Sequence, residues 1–127
     1  MARRKTSGPT DGELAILGVL WGKRAGSVRD VHEALHQADE TGYTTTLKLM
    51  QIMMDKGLLV REGAGRRHIY KPAVSEERTQ KQLIGDLLDR VFAGSAEKLV
   101  MRALSAKKVS AKELKRIRQM LDEMEGR

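Results

Sequence analysis

The stretch YTTTLKLMQIMMDKGLL, residues 43–59, carries two patterns at once. Three consecutive threonines run into a methionine-rich segment that closes on Asp55-Lys56-Gly57. Placed at about 100° per residue, Thr44, Lys48, Gln51 and Asp55 fall in one narrow stripe. Thr46, Leu49, Met50 and Met53 fall on the opposite side. Leu47 and Met54 lie at one border of the apolar face, Thr45 and Ile52 at the other. The spacing predicts a helix that buries its methionines and leaves a thin polar edge, with Thr44, Lys48 and Gln51 free to meet a partner. Gly57 ends it.

Working outward, each neighbouring segment carries its own start signal. Thr10-Asp11-Gly12-Glu13 is an S/T-x-x-E capping box, and Leu14, Leu17 and Trp21 follow at helical spacing with Ile16 and Leu20 beside them. The helix ends in the turn 22–26. Ser27-x-x-Asp30 opens a second helix with Val28, Val31 and Leu35 on one stripe, running to about His36. Residues 37–42 are a polar connector. After Gly57, Leu58 to Glu62 reads as a short strand, Gly63-Ala64-Gly65 as a tight turn, and Arg66 to Tyr70 as a returning strand closed by Lys71-Pro72. Three helices and then a two-stranded hairpin with a basic tip is the element order of a winged helix-turn-helix.

Beyond Pro72 the pattern is helical only. Leu83, Ile84, Leu87, Leu88, Val91 and Phe92 form a wide apolar stripe that breaks at Gly94. A shorter helix follows from Ser95 with Leu99, Val100, Ala103 and Leu104. Ser110-x-x-Glu113 heads a last helix with Leu114, Ile117, Leu121 and Met124 at a/d spacing. That seam is barely two heptads long and must bury against something. The expected fold class is mainly α. Its parts are a basic arm over residues 1–9, a winged-helix domain over 10–72 and a small helical domain over 73–127.

Bulk composition narrows the partners. The chain has 127 residues, 3% aromatics and no cysteine, so its core is aliphatic and Met-based and thiolate metal sites are excluded. The N-terminus has the charge of a signal peptide without the apolar segment that must follow. There is no apolar run of about 18 residues, so no membrane insertion is expected, and a cytoplasmic location fits. A net charge of +7 biases the protein toward polyanions. It is spread evenly, +4 up to Pro72 and +3 after it.

A helix that reads DNA needs small or polar residues at its start, so that the backbone approaches the major groove, and one or two long side chains to reach base edges. Thr44 and Thr45 offer hydroxyls and a methyl. Lys48 reaches guanine or phosphate, and Gln51 pairs with adenine. The bland alternative makes one threonine an N-cap and Lys48 a solvated charge. Arg66 and Arg67 beside a glycine turn suit phosphate or minor-groove contact, and Arg3-Arg4-Lys5 suits phosphate.

The segments TDGELAILGVLW, VRDVHEAL, GYTTTLKLMQIMMDKGLLVRE and GRRHIYKP together resemble the DNA-binding half of the penicillinase-repressor family, which includes methicillin-resistance regulators and a copper-responsive branch. The likeness covers about residues 9–72 closely; beyond it, FAGS and the closing amphipathic helix match in pattern. The resemblance implies a homodimeric transcriptional repressor bound to a near-palindromic double-stranded operator. Positions matching the family's DNA contacts are Thr44, Thr45, Lys48, Arg66 and Arg67, Thr45 by letter and Lys48 by position. The C-terminal helices of two chains would interlock through Leu87, Val91, Leu114, Ile117, Leu121 and Met124. In the best-known members a membrane sensor detects β-lactam and the repressor is then cleaved in its dimerisation part. Here Arg102-Ala103 replaces their polar–aromatic pair at that position, and the copper branch's cysteine cluster is missing. Thr46 and Ile52 stand where relatives often carry a branched apolar residue and a basic one.

One motif points elsewhere. His32-Glu33-Ala34-Leu35-His36 is H-E-x-x-H, the signature of zinc peptidases. Such a site also needs a third ligand and a cleft. His32 sits beside Val28 and Val31 on the apolar stripe, so the stretch reads as an incidental feature of the second helix. No cofactor and no enzymatic activity are expected. The competing readings are a sequence-nonspecific DNA-coating protein and a zinc module built on this motif.

Overall fold

A computed structural model describes residues 8–36, 42–63 and 68–126. The element order is α1 (Asp11–Lys23), α2 (Val28–His36), α3 (Tyr43–Asp55), β1 (Leu59–Glu62), β2 (Ile69–Pro72), α4 (Glu76–Arg90), α5 (Ala96–Ala106) and α6 (Ala111–Met124). The protein is mainly helical with one small antiparallel sheet. It divides into two compact units, Met1–Gly85 and Asp86–Arg127.

Local chemistry sets the helix ends. At α1, Thr10 Oγ1 accepts from the Glu13 N–H at 3.2 Å while Glu13 Oε1 accepts from the Thr10 N–H at 2.8 Å, a complete capping box. Ser27 and Asp30 make the same reciprocal pair ahead of α2, at 3.0 and 3.1 Å. Helix α3 stops at a Schellman motif. Gly57, at φ 81°, donates to Met54 O at 3.1 Å, and the Leu58 N–H donates to Met53 O at 2.9 Å. Ser75, Ser95 and Ser110 cap the three later helices, their hydroxyls accepting from Arg78, Lys98 and Glu113 N–H groups.

The core of the first unit is aliphatic. Ile16, Leu17 and Leu20 of α1 meet Val28 and Val31 of α2, Met50 and Met53 of α3, Leu59 of β1 and Tyr70 of β2, all buried. Each such side chain contributes about 1.5–3 kcal/mol. Trp21 stands at the edge of this core and donates from its indole N–H to Val74 O at 3.0 Å, tying α1 to the chain leaving the hairpin. Within α3 the burial follows the wheel: Thr46, Met50 and Met53 are buried, while Thr44, Thr45, Lys48, Gln51, Ile52 and Asp55 are exposed.

The hairpin corrects one expectation. Among the described residues the returning strand is Ile69–Pro72, running past the expected end at Tyr70, with Leu59 opposite Pro72 and Glu62 opposite Ile69, while Arg66 and Arg67 lie outside the described residues. The reason lies outside the hairpin. Tyr70 turns both backbone groups away from β1, donating to Gly26 O at 2.8 Å and accepting from the Gly26 N–H at 3.0 Å. Pro72 shares that parity, so its missing N–H interrupts nothing in the ladder to β1.

In the second unit no described residue is buried, and none is buried anywhere from Gln80 to Gly126. Val91, Met101, Leu121 and Met124 are 65%, 61%, 53% and 74% exposed. The tight link between α4 and α5 uses Ala93 and Gly94 at positive φ, 50° and 81°.

Glu13 combines two roles. Its Oε2 also pairs with Lys56 Nζ at 2.7 Å, joining α1 to the end of α3, and the residue is 1% exposed. Burial raises its pKa, but the hydrogen bonds from Lys56 and Thr10 and the Lys56 charge outweigh that, and the carboxyl sits below its ordinary 4.5. A depressed folded-state pKa stabilises the fold above the unfolded value and loses that contribution as pH falls through the folded one. Glu13→Gln is therefore expected to lower stability by about 2 kcal/mol at neutral pH. In urea titrations the gap from wild type should close as pH drops below 4.5; a gap that stays constant would dismiss the ion pair as its source.

Candidate nucleic-acid interface

Helix α3 begins without a side-chain cap. Its N-cap is Gly42 at φ 93°, ψ 2°, which has no side chain to accept from the first turn. The alternative in which Thr44 or Thr45 serves as the cap is thereby overturned, since both lie inside the helix with exposed side chains. The first intrahelical bond runs from the Thr46 N–H to Gly42 O at 2.9 Å. The N–H groups of Tyr43, Thr44 and Thr45 precede it and carry the positive end of the helix dipole. A helix start of this kind favours anions such as phosphate.

The start is held from one side by α2. His32, 1% exposed, shares a 3.1 Å hydrogen bond between its Nδ1 and Thr46 Oγ1. Its ring meets Tyr43 edge-on at 5.5 Å and lies 4.7 Å from His36. The Arg29 guanidinium stands over the other part of this cluster, 4.9 Å from the Tyr43 ring centre. The H-E-x-x-H stretch thus places its first imidazole in the α2–α3 packing. Among the described residues no group of three or more His, Cys, Asp or Glu side chains is placed to hold a metal.

The exposed face presents its groups in order. Thr44 and Thr45 lie in the first turn, Lys48 one turn on, then Gln51 and Ile52, then Asp55. Ile52 is 42% exposed, an apolar surface beside Thr45. Among the described residues Lys48 makes no ion pair, whereas Lys71 is paired with Glu62 at 3.0 Å and Lys56 with Glu13. Asp55 places a negative charge at the far end of the stripe, so a polyanion meets favourable charge only over the first two turns.

Arg66 and Arg67, with the Gly63-Ala64-Gly65 turn in part, lie outside the described residues, as does the arm Arg3-Arg4-Lys5. His68, inside the expected returning strand, precedes β2 and is half-buried, its Nδ1 without a hydrogen-bond partner among the described residues. It lines a cleft of about 390 Å³ with Ser27, Arg29, Glu33, Tyr43 and Tyr70. Arg29 and Tyr43 are the residues that the sequence reading passed over. Their signal was faint: an arginine in the first turn of α2 and an aromatic directly ahead of the threonines.

Three helices, a hairpin, a buried methionine face and an exposed polar helix start define a winged helix-turn-helix of the DNA-binding class, followed by C-terminal helices. The family model described as penicillinase repressor matches residues 9–123, and the chain belongs to that family of transcriptional repressors. It is 23% identical over 118 residues to the penicillinase repressor of Bacillus licheniformis, covering 93% of this chain and 92% of that one. It is 29% identical over 118 residues to the transcriptional regulator BlaI of Mycobacterium tuberculosis, covering 91% and 84%. The penicillinase repressor of Staphylococcus aureus is 18% identical over 112 residues.

The two sides of α3 predict unequal responses to the same change. Thr46→Val removes a buried hydroxyl from His32 and should cost about 1–3 kcal/mol. Thr44→Val and Thr45→Val alter exposed positions and should stay within about 0.5 kcal/mol. Urea midpoints of the three variants make the comparison; equal losses would contradict the orientation of α3.

Proposed function

We propose that this protein is a homodimeric repressor that binds a near-palindromic DNA operator, reading it with the exposed stripe of α3. The observation that carries this reading is the stripe itself. Thr44, Thr45, Lys48 and Gln51 are exposed on a helix whose other face is locked into the core and whose N-cap is a glycine. Threonine hydroxyls and the N–H groups of a helix start suit phosphates and allow close approach. Lys48 suits guanine O6 and N7 or a phosphate, Gln51 suits adenine, and a threonine methyl or Ile52 suits the thymine methyl. Arg66 and Arg67 at the hairpin add phosphate or minor-groove contacts. Residues 10–72 form the DNA-binding part.

The second chain follows from what the C-terminal part leaves uncovered. Leu87, Val91, Leu114, Leu121 and Met124 are exposed and Ile117 is half-buried, and large apolar side chains left uncovered in this number suit an interaction site. Residues 73–127 are assigned to pairing two copies, which would present two reading helices to the two half-sites of an operator.

Titrating the protein against the DNA upstream of its own gene and against a scrambled duplex, at two salt concentrations, tests the reading. The expected result is a preference of roughly a thousandfold or more. Equal affinity for both, with a steep salt dependence, would replace it with a sequence-blind coating protein. Lys48→Ala should weaken binding by about 1–3 kcal/mol if it contacts a base, or lower the salt slope by about one if it contacts phosphate. Thr45→Ala should weaken specific binding while leaving the urea midpoint in place. Unchanged operator affinity in both variants would remove α3 from the reading role. Leu121→Glu, at an exposed position, should give monomers by light scattering and weaken operator binding with the fold intact.

A further inference from the structure

Split at Pro72 the positive surplus is even, but a finer division gathers it. Residues 98–118 hold eight bases against one acid, Glu113, a surplus of seven. The whole chain's surplus is also +7, so everything outside this segment balances. Lys98 and Arg102 stand one turn apart on α5, and Lys107 and Lys108 lie in the link that follows. Lys112, Lys115, Arg116 and Arg118 occupy the first half of α6. All eight are exposed, and among the described residues none forms an ion pair. On α4, by contrast, Lys81 pairs with Glu77 and Arg90 with Asp86.

The placement is costly to the helix that carries it. A helix start favours acids, and α6 opens with four bases in eight residues. At about 100° per residue, Lys112, Lys115 and Arg116 share one face, opposite Leu114, Ile117 and Leu121, and Glu113 lies on the apolar side. The basic face therefore stays open when a second chain covers the apolar one. Asp122 and Glu123 continue that face toward the end of the helix, which confines the positive surface to the first half.

We propose that residues 98–118 form a second DNA-binding surface, one that holds the phosphate backbone of duplex DNA without reading its sequence. The inference rests on the protein being a DNA binder and adds a contact outside α3 and the hairpin. Eight unneutralised charges within 21 residues suit closely spaced phosphates, and each contact releases condensed counterions. The segment has no Phe, Tyr or Trp, so it offers no platform for stacking unpaired bases, and a duplex suits it better than a single strand. An anionic membrane fits less well. A helix lying on lipid buries its apolar side there, and that side of α6 is assigned to the second chain.

Salt titration of the full-length protein on the upstream duplex and on its scrambled control isolates this surface. A variant carrying Lys108→Gln, Lys112→Gln and Lys115→Gln should lower the slope of log affinity against log salt by about two to three on both duplexes. Its preference for the operator should not change. Lys108→Arg, Lys112→Arg and Lys115→Arg together should keep the wild-type slope. Lys98→Gln with Arg102→Gln, on the other helix, should lower the slope by about two, and decides the matter where the first variant fails to fold. Arg78→Gln, Lys81→Gln and Arg90→Gln remove the same charge from α4 and should leave the slope in place; an equal fall there would make the effect one of net charge and overturn the inference. A slope unmoved in both segment variants would overturn it too, leaving the operator reading in place where wild type still prefers the operator. Co-sedimentation with phosphatidylglycerol vesicles that the Gln variant loses, with the duplex slope unmoved, would assign the surface to a membrane instead. A wild type that binds neither duplex would overturn both readings.

Discussion

Helix α3 is held at each end by a polar bond to a different helix. Near its start, Thr46 bonds to His32 on α2; at its close, Lys56 pairs with Glu13 on α1. Between them Met50 and Met53 sink into the aliphatic core. Apolar packing alone fixes depth poorly, because methionine is unbranched and adapts to irregular gaps. The two polar bonds are directional and supply what the methionines cannot, a fixed rotation and a fixed height for the helix. Presentation of Thr44, Thr45 and Lys48 on one outward edge depends on that fixation. For the proposed reading role that matters, because bidentate contacts to bases are geometrically strict and an ångström of play would cost discrimination.

The elements were legible where one local rule acted alone. Thr10 with Glu13 and Ser27 with Asp30 marked helix starts that the structure reproduces, and Gly57 marked the end of α3. The wheel of residues 43–55 separated the buried Thr46, Met50 and Met53 from the exposed Thr44, Lys48 and Gln51 without reference to any fold. What escaped was decided at a distance. The return strand is set by Tyr70 bonding to Gly26, more than forty positions away in the chain, and no hairpin rule contains that partner. His32 reads as part of a metal motif only until Thr46, fourteen residues on, is brought against it. Arg29 gains a role only when Tyr43 lies beneath it.

The two units differ in how far a single chain satisfies them. In the first, a dozen or so side chains close a core that includes a buried acid and a buried imidazole, each with partners. In the second, amphipathic helices of sound local design, each with a serine cap, leave their apolar stripes uncovered. Caps and propensity contribute a few kcal/mol at most and do not replace burial. Under the proposed dimer, these open faces are what the second copy would cover.

The paired backbone bonds between Gly26 and Tyr70 carry a consequence for how such a chain can vary. Connections between elements usually tolerate insertion and deletion, because few bonds depend on their length. The turn between α1 and α2 is different. One added residue would carry Gly26 out of step with Tyr70 and break both of its bonds to the hairpin. That turn is held to a constant length by the hairpin it supports. Length variation among descendants of this chain is thereby steered toward connections that carry no such bond, and the spacing from Leu20 to Val28 becomes a ruler for aligning them.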